Sequence, residues 1–222
     1  MKLAALISGG KDSSFAIYKA LQEGHKVTDL LTIISANEDS YMFHSANIQL
    51  TELISQACEI PLTRQLSAGE KEKELLDLKK AISSVEVDGV AVGAIESEYQ
   101  ASRVRNICDE LGLEMYAPLW HREPLGLLRE MIPLMDIRMV KVAAAGMDES
   151  WLGRIFGEHM IRDLLALNRK YRVHIAGEGG EYESLVLDAP FYKKKIHLLE
   201  TQNIWMGDHG IMKVVQAELK EK

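Results

Sequence analysis

The sequence predicts an α/β protein: a parallel-sheet, Rossmann-like N-terminal domain followed by a smaller α+β C-terminal lobe. In the first 120 residues, short apolar runs typical of buried strands alternate with stretches of helical periodicity. Single helices between strands imply crossovers, which make neighbouring strands parallel. Beyond that point Pro118, Pro124 and Pro133 mark a change, and extended stretches outnumber helical ones. We therefore expect two domains, at residues 1–120 and 121–222.

The N-terminal domain is expected to hold five strands separated by four helices. Leu3–Ile7 is typical of the strands, because it is a short, wholly apolar run. Val104, Ile107 and Leu111 are typical of the helices, because their spacing places them on one helical face. The predicted strands are 3–7, 26–34, 61–66, 89–93 and 114–119, and the predicted helices are 15–21, 45–58, 69–85 and 98–111.

The C-terminal lobe is expected to combine two helices with several extended segments. The predicted helices are 151–156 and 159–171, and the predicted strands are 138–145, 173–176, 184–187, 193–199 and 210–219. No repeat or low-complexity linker separates the two regions, so we expect the lobe to pack closely on the first domain.

Composition and charge narrow the class of protein. Hydrophobic residues make up 47% and charged residues 27%, as in ordinary globular proteins and unlike disordered or collagen-like chains. The net charge of −7 argues against a protein that binds nucleic acid through its phosphates, so no direct nucleic-acid contact is expected. No apolar run approaches the roughly 20 residues of a membrane span, and the N-terminus lacks a signal-peptide pattern. We expect a cytoplasmic protein without membrane contact.

The two cysteines give no sign of thiol chemistry. Cys58 and Cys108 do not form a Cys-x-x-Cys pair, and no histidine pair lies near either one at zinc-binding spacing. Both lie on apolar helix faces, where a free cysteine is usually a small buried hydrophobic residue. We therefore expect both to be structural.

The most informative segment is the loop Ser8-Gly9-Gly10-Lys11-Asp12-Ser13-Ser14, between the first strand and the first helix. Glycines allow a sharp turn and close approach to a ligand, and the amides of a helix N-terminus form an anion site. Asp12 is unusual in an anion site unless a cation binds too, and Mg²⁺ held by phosphates is the natural candidate. The loop is not a Walker A motif, because GxxxxGK[ST] is absent.

This loop resembles the PP-loop, SGGxDS, of the ATP pyrophosphatase family. The resemblance implies an adenine nucleotide alpha hydrolase-like fold and the use of ATP, which is cut between its α and β phosphates. An oxygen of the substrate is adenylated, the loop holds the leaving pyrophosphate, and a nucleophile then displaces AMP. The whole loop would bind the nucleotide, with Lys11 and Asp12 as catalytic residues and Asp12 as the metal ligand.

Further nucleotide contacts are expected where other strands end. Ile33 and Ser35 at the end of the second strand, and Gly93 after a later strand, could pair with an adenine edge through backbone atoms. Ordinary strand termini explain them equally well. His44 follows the second strand and Lys141 lies on a strand of the second lobe; the sequence leaves the roles of both open.

Two further segments identify the family more closely. Gly93-Ala94-Ile95-Glu96-Ser97-Glu98-Tyr99-Gln100 follows a strand and continues to Arg103. Gly177-Glu178-Gly179-Gly180-Glu181-Tyr182-Glu183-Ser184 follows a predicted strand of the second lobe. A run of carboxylates is usually a solvated loop, but the interleaved glycines indicate a shaped backbone.

With the PP-loop, these segments make the chain similar to the diphthine–ammonia ligases, in a short, archaeal-like form. The resemblance implies that diphthine on translation elongation factor 2 reacts with ATP and ammonia, giving diphthamide, AMP and pyrophosphate through an acyl-adenylate. No cysteine is placed for a glutaminase, which agrees with free ammonium as the nitrogen donor. The substrate contacts would be Tyr99, Gln100, Arg103, Glu178, Gly179, Gly180 and Tyr182.

Carboxylates can both bind ammonium and remove its proton, so the glutamates of the second segment are candidates for that step. Glu181 and Glu183 are the predicted catalytic pair, although Glu178 remains an alternative and any of the three could instead bind the quaternary ammonium of diphthine. Tyr99 and Tyr182 could contribute cation–π contacts to that group. Arg103 suits a phosphate or carboxylate, and an exposed surface arginine is an equal alternative.

Two other functions remain open at this point. The first is another PP-loop enzyme, such as a tRNA-modifying ligase, which would be expected to carry a basic face or a catalytic cysteine pair. The second is a nucleotide-binding sensor without enzymatic activity, which Asp12 and the glutamate-rich segment argue against. The sequence also leaves the oligomeric state open, a homodimer included.

Overall fold

The computed structural model describes residues 1–36, 46–70 and 73–222, and His44 lies outside this range. The N-terminal part alternates strands and helices, as predicted. Its elements are β1 Lys2–Leu6, α1 Lys11–Gln22, β2 Lys26–Ser35, α2 Thr51–Cys58, β3 Leu62–Ser67, α3 Lys73–Ser83, β4 Gly89–Ala91, α4 Glu98–Leu111 and β5 Glu114–Tyr116.

These five strands form one parallel sheet in the order β3-β2-β1-β4-β5. The chain moves outward from β1 to β3 and then returns to the other side of β1 to form β4. The strand order therefore reverses between β1 and β4, which is where open α/β sheets place their ligand crevice. The loop after β1 and the segment after β4 meet at this crevice, and the predicted α/β, Rossmann-like class is confirmed.

The C-terminal part forms a second, antiparallel sheet with two helices. Its strands are arranged in the order β7-β6-β9-β8, and β8 and β9 form a long hairpin. The elements are α5 Pro124–Met131, β6 Asp136–Val142, α6 Glu158–Tyr171, β7 Tyr182–Asp188, β8 Lys194–Trp205 and β9 Gly210–Glu221. The predicted α+β lobe is therefore present.

The predicted and observed elements differ in three places. Residues 151–156 are not a helix, because a single 3₁₀ turn at Glu149–Trp151 gives way to an extended chain that bridges Arg138 at Ile155. Residues 173–176 are not a strand but lead into a turn. Helix α5 was not predicted; Pro124 occupies its first turn, where the missing N–H costs nothing, and the Glu123 carboxylate caps its free amides.

The two parts share a hydrophobic core, and a second cluster, which includes Leu78, Ile82 and Ile107, belongs to the N-terminal part alone. One cluster of buried side chains includes Phe15 of α1 and Leu30 of β2 together with Ile137 and Leu164 of the second lobe. Backbone bonds also cross between them, as when the Val186 amide donates to the Gly9 carbonyl at 2.9 Å. This shared packing fixes the second lobe over the ligand edge of the first sheet. In the described part of the chain, no helix is long and apolar enough to cross a membrane.

Candidate active site

A cavity of about 660 Å³ lies at the carboxyl edge of the parallel sheet, between the two lobes. The first lobe contributes the loop after β1, the end of β2 and the segment around the start of α4. The second lobe covers this edge with the glutamate-rich segment and with Lys141 of β6. Of the predicted site residues, those that line the cavity are Ser8, Gly10, Lys11, Asp12, Ser13, Ile33, Gly93, Tyr99, Gln100, Glu178, Gly179, Gly180, Tyr182 and Glu183.

The loop after β1 is shaped by its own side chains. Gly9 adopts a φ of +87°, a conformation that glycine reaches without strain. The Ser8 hydroxyl accepts from the Gly10 amide at 3.3 Å, and the Ser13 hydroxyl donates to the Gly10 carbonyl at 3.2 Å. Gly10 supplies no side-chain cap to α1, and the Lys11 amide donates to Ser184, so the Asp12 and Ser13 amides are those left for a ligand at the cavity. This arrangement suits an anion.

Gly93 is required by close packing of the backbone. A β-carbon at this position would lie 2.6 Å from the Asp12 carbonyl carbon and 2.6 Å from the Ser13 amide nitrogen. The chain leaving β4 therefore touches the first turn of α1, and only glycine permits that approach. Gly93 supports the loop in addition to lining the cavity.

Lys11 and Asp12 form an ion pair beneath the second lobe, in which Lys11 is buried and Asp12 is partly buried. The Lys11 side chain is 3% exposed, and its Nζ donates to Asp12 Oδ2 at 2.7 Å and to the Ala176 carbonyl at 2.6 Å. It also lies 5.4 Å from the centre of the Tyr182 ring. Lys11 therefore joins the first helix to the chain that precedes the glutamate-rich segment.

Asp12 keeps one oxygen for a ligand. Its Oδ1 is buried and has no hydrogen-bond partner among the described residues. Burial raises the pKa of Asp12, Lys11 opposes that rise, and the nearby charge of Glu178 adds to it. Within residues 1–36, 46–70 and 73–222, no group of three His, Cys, Asp or Glu side chains could hold a metal alone. This donor set fits Mg²⁺, which commonly binds one or two carboxylates together with substrate phosphates.

The three glutamates of the second segment have different environments. Glu181 bonds to backbone amides of its own loop, with Oε1 accepting from His174 and Oε2 from Gly179 at 3.0 and 2.8 Å. It does not line the cavity. Glu183 accepts from Lys141 Nζ through Oε1 and from the Ala46 amide through Oε2, both at 2.7 Å. These contacts hold Glu183 at the cavity wall.

Glu178 is the least engaged of the three. Its Oε2 accepts from the Glu96 amide at 3.0 Å, and Oε1 has no partner in the described part of the chain. It lines the cavity and is close enough to Asp12 to raise the pKa of that carboxyl. Glu178 therefore offers a free carboxylate oxygen beside the anion-binding loop.

Tyr182, Tyr99 and Arg103 are each held by contacts within the protein. Tyr182 is buried, and its hydroxyl donates to the Ile175 carbonyl at 2.6 Å. The Arg103 guanidinium lies 3.5 Å from the centre of the Tyr99 ring and donates to the Tyr99 carbonyl. Arg103 therefore reaches the cavity only through Tyr99, whereas Gln100 lines it directly.

Several predicted residues lie behind the cavity wall. Gly9 faces β7, Ser14 is fully buried on α1, and Ser35 lies beside Ser67 at the end of β2. Together with Arg103 and Glu181, these residues are not part of the lining. They support the loop and strand ends that carry the lining residues.

The fold also brings to the cavity residues that were not among the predicted site residues. Ser184 accepts from the Lys11 amide at 3.1 Å, and Ser97 caps α4 at its Gln100 amide. Thr32 is almost fully buried at the end of β2, and its hydroxyl has no partner among the described residues. Ser184 and Ser97 had a sequence signal, because each lies in one of the two quoted segments, whereas Thr32 had none.

Comparisons with known proteins follow the same two-part division. Residues 1–115 match the family model described as "Diphthamide synthase N-terminal domain", and residues 123–219 match "Diphthamide synthase C-terminal domain". A diphthine–ammonia ligase of Rattus norvegicus is 40% identical over 220 residues, covering 88% of this chain and 82% of the relative. A diphthine–ammonia ligase of Danio rerio is 37% identical and covers 96% of this chain and 92% of the relative.

One solved structure is similar at a lower level. It is described as a predicted subunit of tRNA methyltransferase from Methanocaldococcus jannaschii, with a TM-score of 0.47 and 14% identity. The match covers 86% of this chain and 98% of the other. A likeness at this level carries no information on function.

Proposed function

The chain belongs to the diphthamide synthase family, and from that premise we propose that it is a diphthine–ammonia ligase. The substrate would be diphthine on translation elongation factor 2, which ATP and ammonium convert to diphthamide with release of AMP and pyrophosphate. One observation supports this most directly. A single cavity has an anion-binding loop on one wall and a glutamate-rich segment on the other.

The first step requires the loop after β1. A carboxylate oxygen of diphthine attacks the α-phosphorus of ATP, the bond to the β-phosphate oxygen breaks, and pyrophosphate leaves. Ser8, Gly10, Lys11 and Ser13, which line the cavity, would bind the leaving pyrophosphate and stabilise its charge. Ile33 and Gly93 would flank the nucleotide at the strand ends, and Ser35 would support the end of β2. Mg²⁺, when bound by Asp12 and phosphate oxygens, would offset the phosphate charge there.

The second step requires a carboxylate beside the acyl-adenylate. Ammonia attacks the acyl carbon, the bond to the AMP oxygen breaks, and the nitrogen loses a proton to a base. Glu178 has a free oxygen in the cavity, so we assign to it the binding of ammonium and the acceptance of its proton. Glu183 lines the same wall and would orient the substrate, and Glu181 would hold the loop in shape.

The aromatic groups would form the rest of the substrate site. Tyr99 and Gln100 line the cavity beside Gly179 and Gly180. Tyr99 already carries the Arg103 guanidinium near its ring, which weakens the attraction of that ring for a second cation. Tyr182, packed near Lys11, would shape the cavity floor more than it would bind the trimethylammonium group of diphthine.

Sulfur transfer to tRNA is the less favoured alternative. Burial raises the pKa of both Cys58 and Cys108 to about 11, so neither thiol is activated at neutral pH. The acidic net charge of −7 also opposes a tRNA-binding face. A sensor without activity would have no need of a free glutamate beside an adenylation loop.

The deciding experiment combines the protein with diphthine-bearing elongation factor 2, ATP, Mg²⁺ and ammonium. The expected result is AMP release together with the small mass decrease caused by replacing a carboxyl hydroxyl with an amide nitrogen. Glu178→Gln should slow this reaction most, and Glu181→Ala and Glu183→Ala should each slow it less. AMP release that requires tRNA instead of the elongation factor would overturn the proposal, as would wild-type rates in all three variants.

A further inference from the structure

His174 joins the two lobes beside the cavity without lining it. Its Nδ1 accepts from the Ala176 amide at 3.2 Å and from the Glu178 amide at 3.4 Å. A nitrogen that accepts from two amides carries no proton, so the ring proton of neutral His174 is on Nε2. Nε2 lies 3.2 Å from Glu96 Oε2 and donates to that carboxylate.

Glu96, on the first lobe, bonds to both Glu178 and His174 of the second lobe. Its backbone amide donates to Glu178 Oε2 at 3.0 Å, while its side chain accepts from His174. We call Glu96, His174 and Glu178 the His174 clasp. The clasp joins the segment after β4 to the glutamate-rich segment by two bonds in opposite directions, which fixes both the backbone and the carboxylate of Glu178.

Glu178 needs such fixing because its neighbours are conformationally free. Gly177 and Gly180 adopt φ values of +77° and +81°, and Gly179 follows Glu178 directly. A glycine-rich turn allows many orientations of the one side chain it carries. Glu96 and His174 restrict Glu178 to the orientation in which one oxygen is bonded and the other is free in the cavity.

We propose that His174 is a positioning residue for the nitrogen-transfer step and that it acts through Glu178. This inference rests on the proposed function. His174 touches neither the cavity nor the loop after β1, so it should affect ammonium use without changing nucleotide binding. The clasp is not needed for folding of the turn: Glu181 ties the amides of His174 and Gly179, and Tyr182 ties the Ile175 carbonyl. The His174 and Glu96 side chains are 26% and 46% exposed, so their removal leaves no core cavity.

The test separates the two half-reactions in the full-length protein. Exchange of pyrophosphate into ATP, with diphthine-bearing elongation factor 2 and no ammonium, reports adenylation alone. Amidation at limiting ammonium reports the nitrogen step. For His174→Ala we expect a roughly tenfold loss of kcat/KM for ammonium, as for a lost charge-assisted hydrogen bond, with exchange unchanged.

Two conservative variants divide the role of the ring. His174→Asn places an amide oxygen near the position of Nδ1 and should retain the bonds to Ala176 and Glu178. His174→Gln places an amide nitrogen near Nε2 and should retain the bond to Glu96. Each is expected to recover part of the ammonium kcat/KM. His197→Gln is the matched control, because that exposed histidine also lies near a glutamate, Glu218, but on the hairpin.

A double-mutant comparison completes the test. If His174 acts through Glu178, His174→Ala should cause no further loss in a Glu178→Gln background. Equal losses of exchange and amidation in His174→Ala, or full additivity with Glu178→Gln, would overturn the inference while leaving the proposed function intact. A wild-type protein that releases no AMP with the modified factor would instead overturn the proposed function, and the inference with it.

Discussion

The side-chain hydroxyl of Ser184 accepts a hydrogen bond from the backbone amide of Lys11 at 3.1 Å. This bond joins the end of the glutamate-rich segment to the first turn of α1, and it spans 173 positions of sequence. Nearby, the Val186 amide donates to the Gly9 carbonyl at 2.9 Å, in the opposite direction, from the second lobe to the first. The loop after β1 is therefore held in place partly by the C-terminal lobe.

Ser184→Ala should lower the free energy of unfolding by about 1 kcal/mol, because it removes the acceptor of a partly buried amide. Ser184→Thr keeps the hydroxyl and should recover most of this loss. Urea unfolding measures both effects. If the alanine variant is as stable as the wild type, the Lys11–Ser184 bond does not join the lobes in solution.

Gly93→Ala should disrupt the loop after β1. The new β-carbon would overlap the Asp12 and Ser13 backbone at 2.6 Å, which must displace α1 at a cost of about 1–3 kcal/mol. We expect a large loss of ATP affinity by calorimetry. Gly157→Ala is the control, since its β-carbon would meet only the movable His159 ring at 3.1 Å. Equal ATP affinity in both variants would contradict this packing argument.

Lys141 and Glu183 allow a test of whether Glu183 contacts the substrate. Glu183→Gln leaves the partly covered Lys141 charge without its partner and should reduce stability. Lys141→Met combined with Glu183→Gln removes both charges and should restore much of that stability. If Glu183 orients substrate, amidation stays slow in the stable double variant. Recovery of amidation would show that the ion pair alone matters.

Both thiols should resist alkylation in the folded protein. Burial raises the pKa of Cys58 and Cys108 from 9.0 to about 11, so the thiolate is scarce until the pH approaches that value. At pH 8 the alkylation rate should be about a hundredfold lower than in urea, as expected for a two-unit difference in pKa. The rate is measured by stopping the alkylation at intervals and determining the mass of the protein. Rapid alkylation of the folded protein would contradict this prediction and would make a catalytic role for a thiol an open question again.

The same raised pKa affects stability at high pH. The thiols lose their protons at lower pH in the unfolded protein than in the folded protein. Deprotonation therefore favours the unfolded state, and the protonated thiols favour folding. Their contribution is complete below pH 9 and is lost as the pH rises toward 11. Cys58→Ala and Cys108→Ala should therefore flatten the decline of stability in this range, relative to the wild type.

The sequence alone determined the parallel sheet and the anion-binding loop. Both are local patterns: a short apolar run, two glycines and a helix start lie within residues 3–22, so their chemistry can be read without knowing the rest of the fold. The error at 173–176 had a physical cause. The chain turns there because Glu181 accepts the His174 and Gly179 amides and Tyr182 donates to the Ile175 carbonyl, contacts that strand periodicity does not reveal.

The tertiary structure decided how the glutamates differ. Glu178, Glu181 and Glu183 look equivalent in sequence, but Glu178 bonds to Glu96 of the other lobe, Glu181 to amides of its own loop and Glu183 to Lys141 of β6. Which carboxylate keeps a free oxygen depends on which distant amides and cations the fold brings to it. Contacts between residues far apart in sequence depend on how the two lobes pack. The sequence could therefore identify the three glutamates as candidates, but not which of them keeps a free oxygen in the cavity.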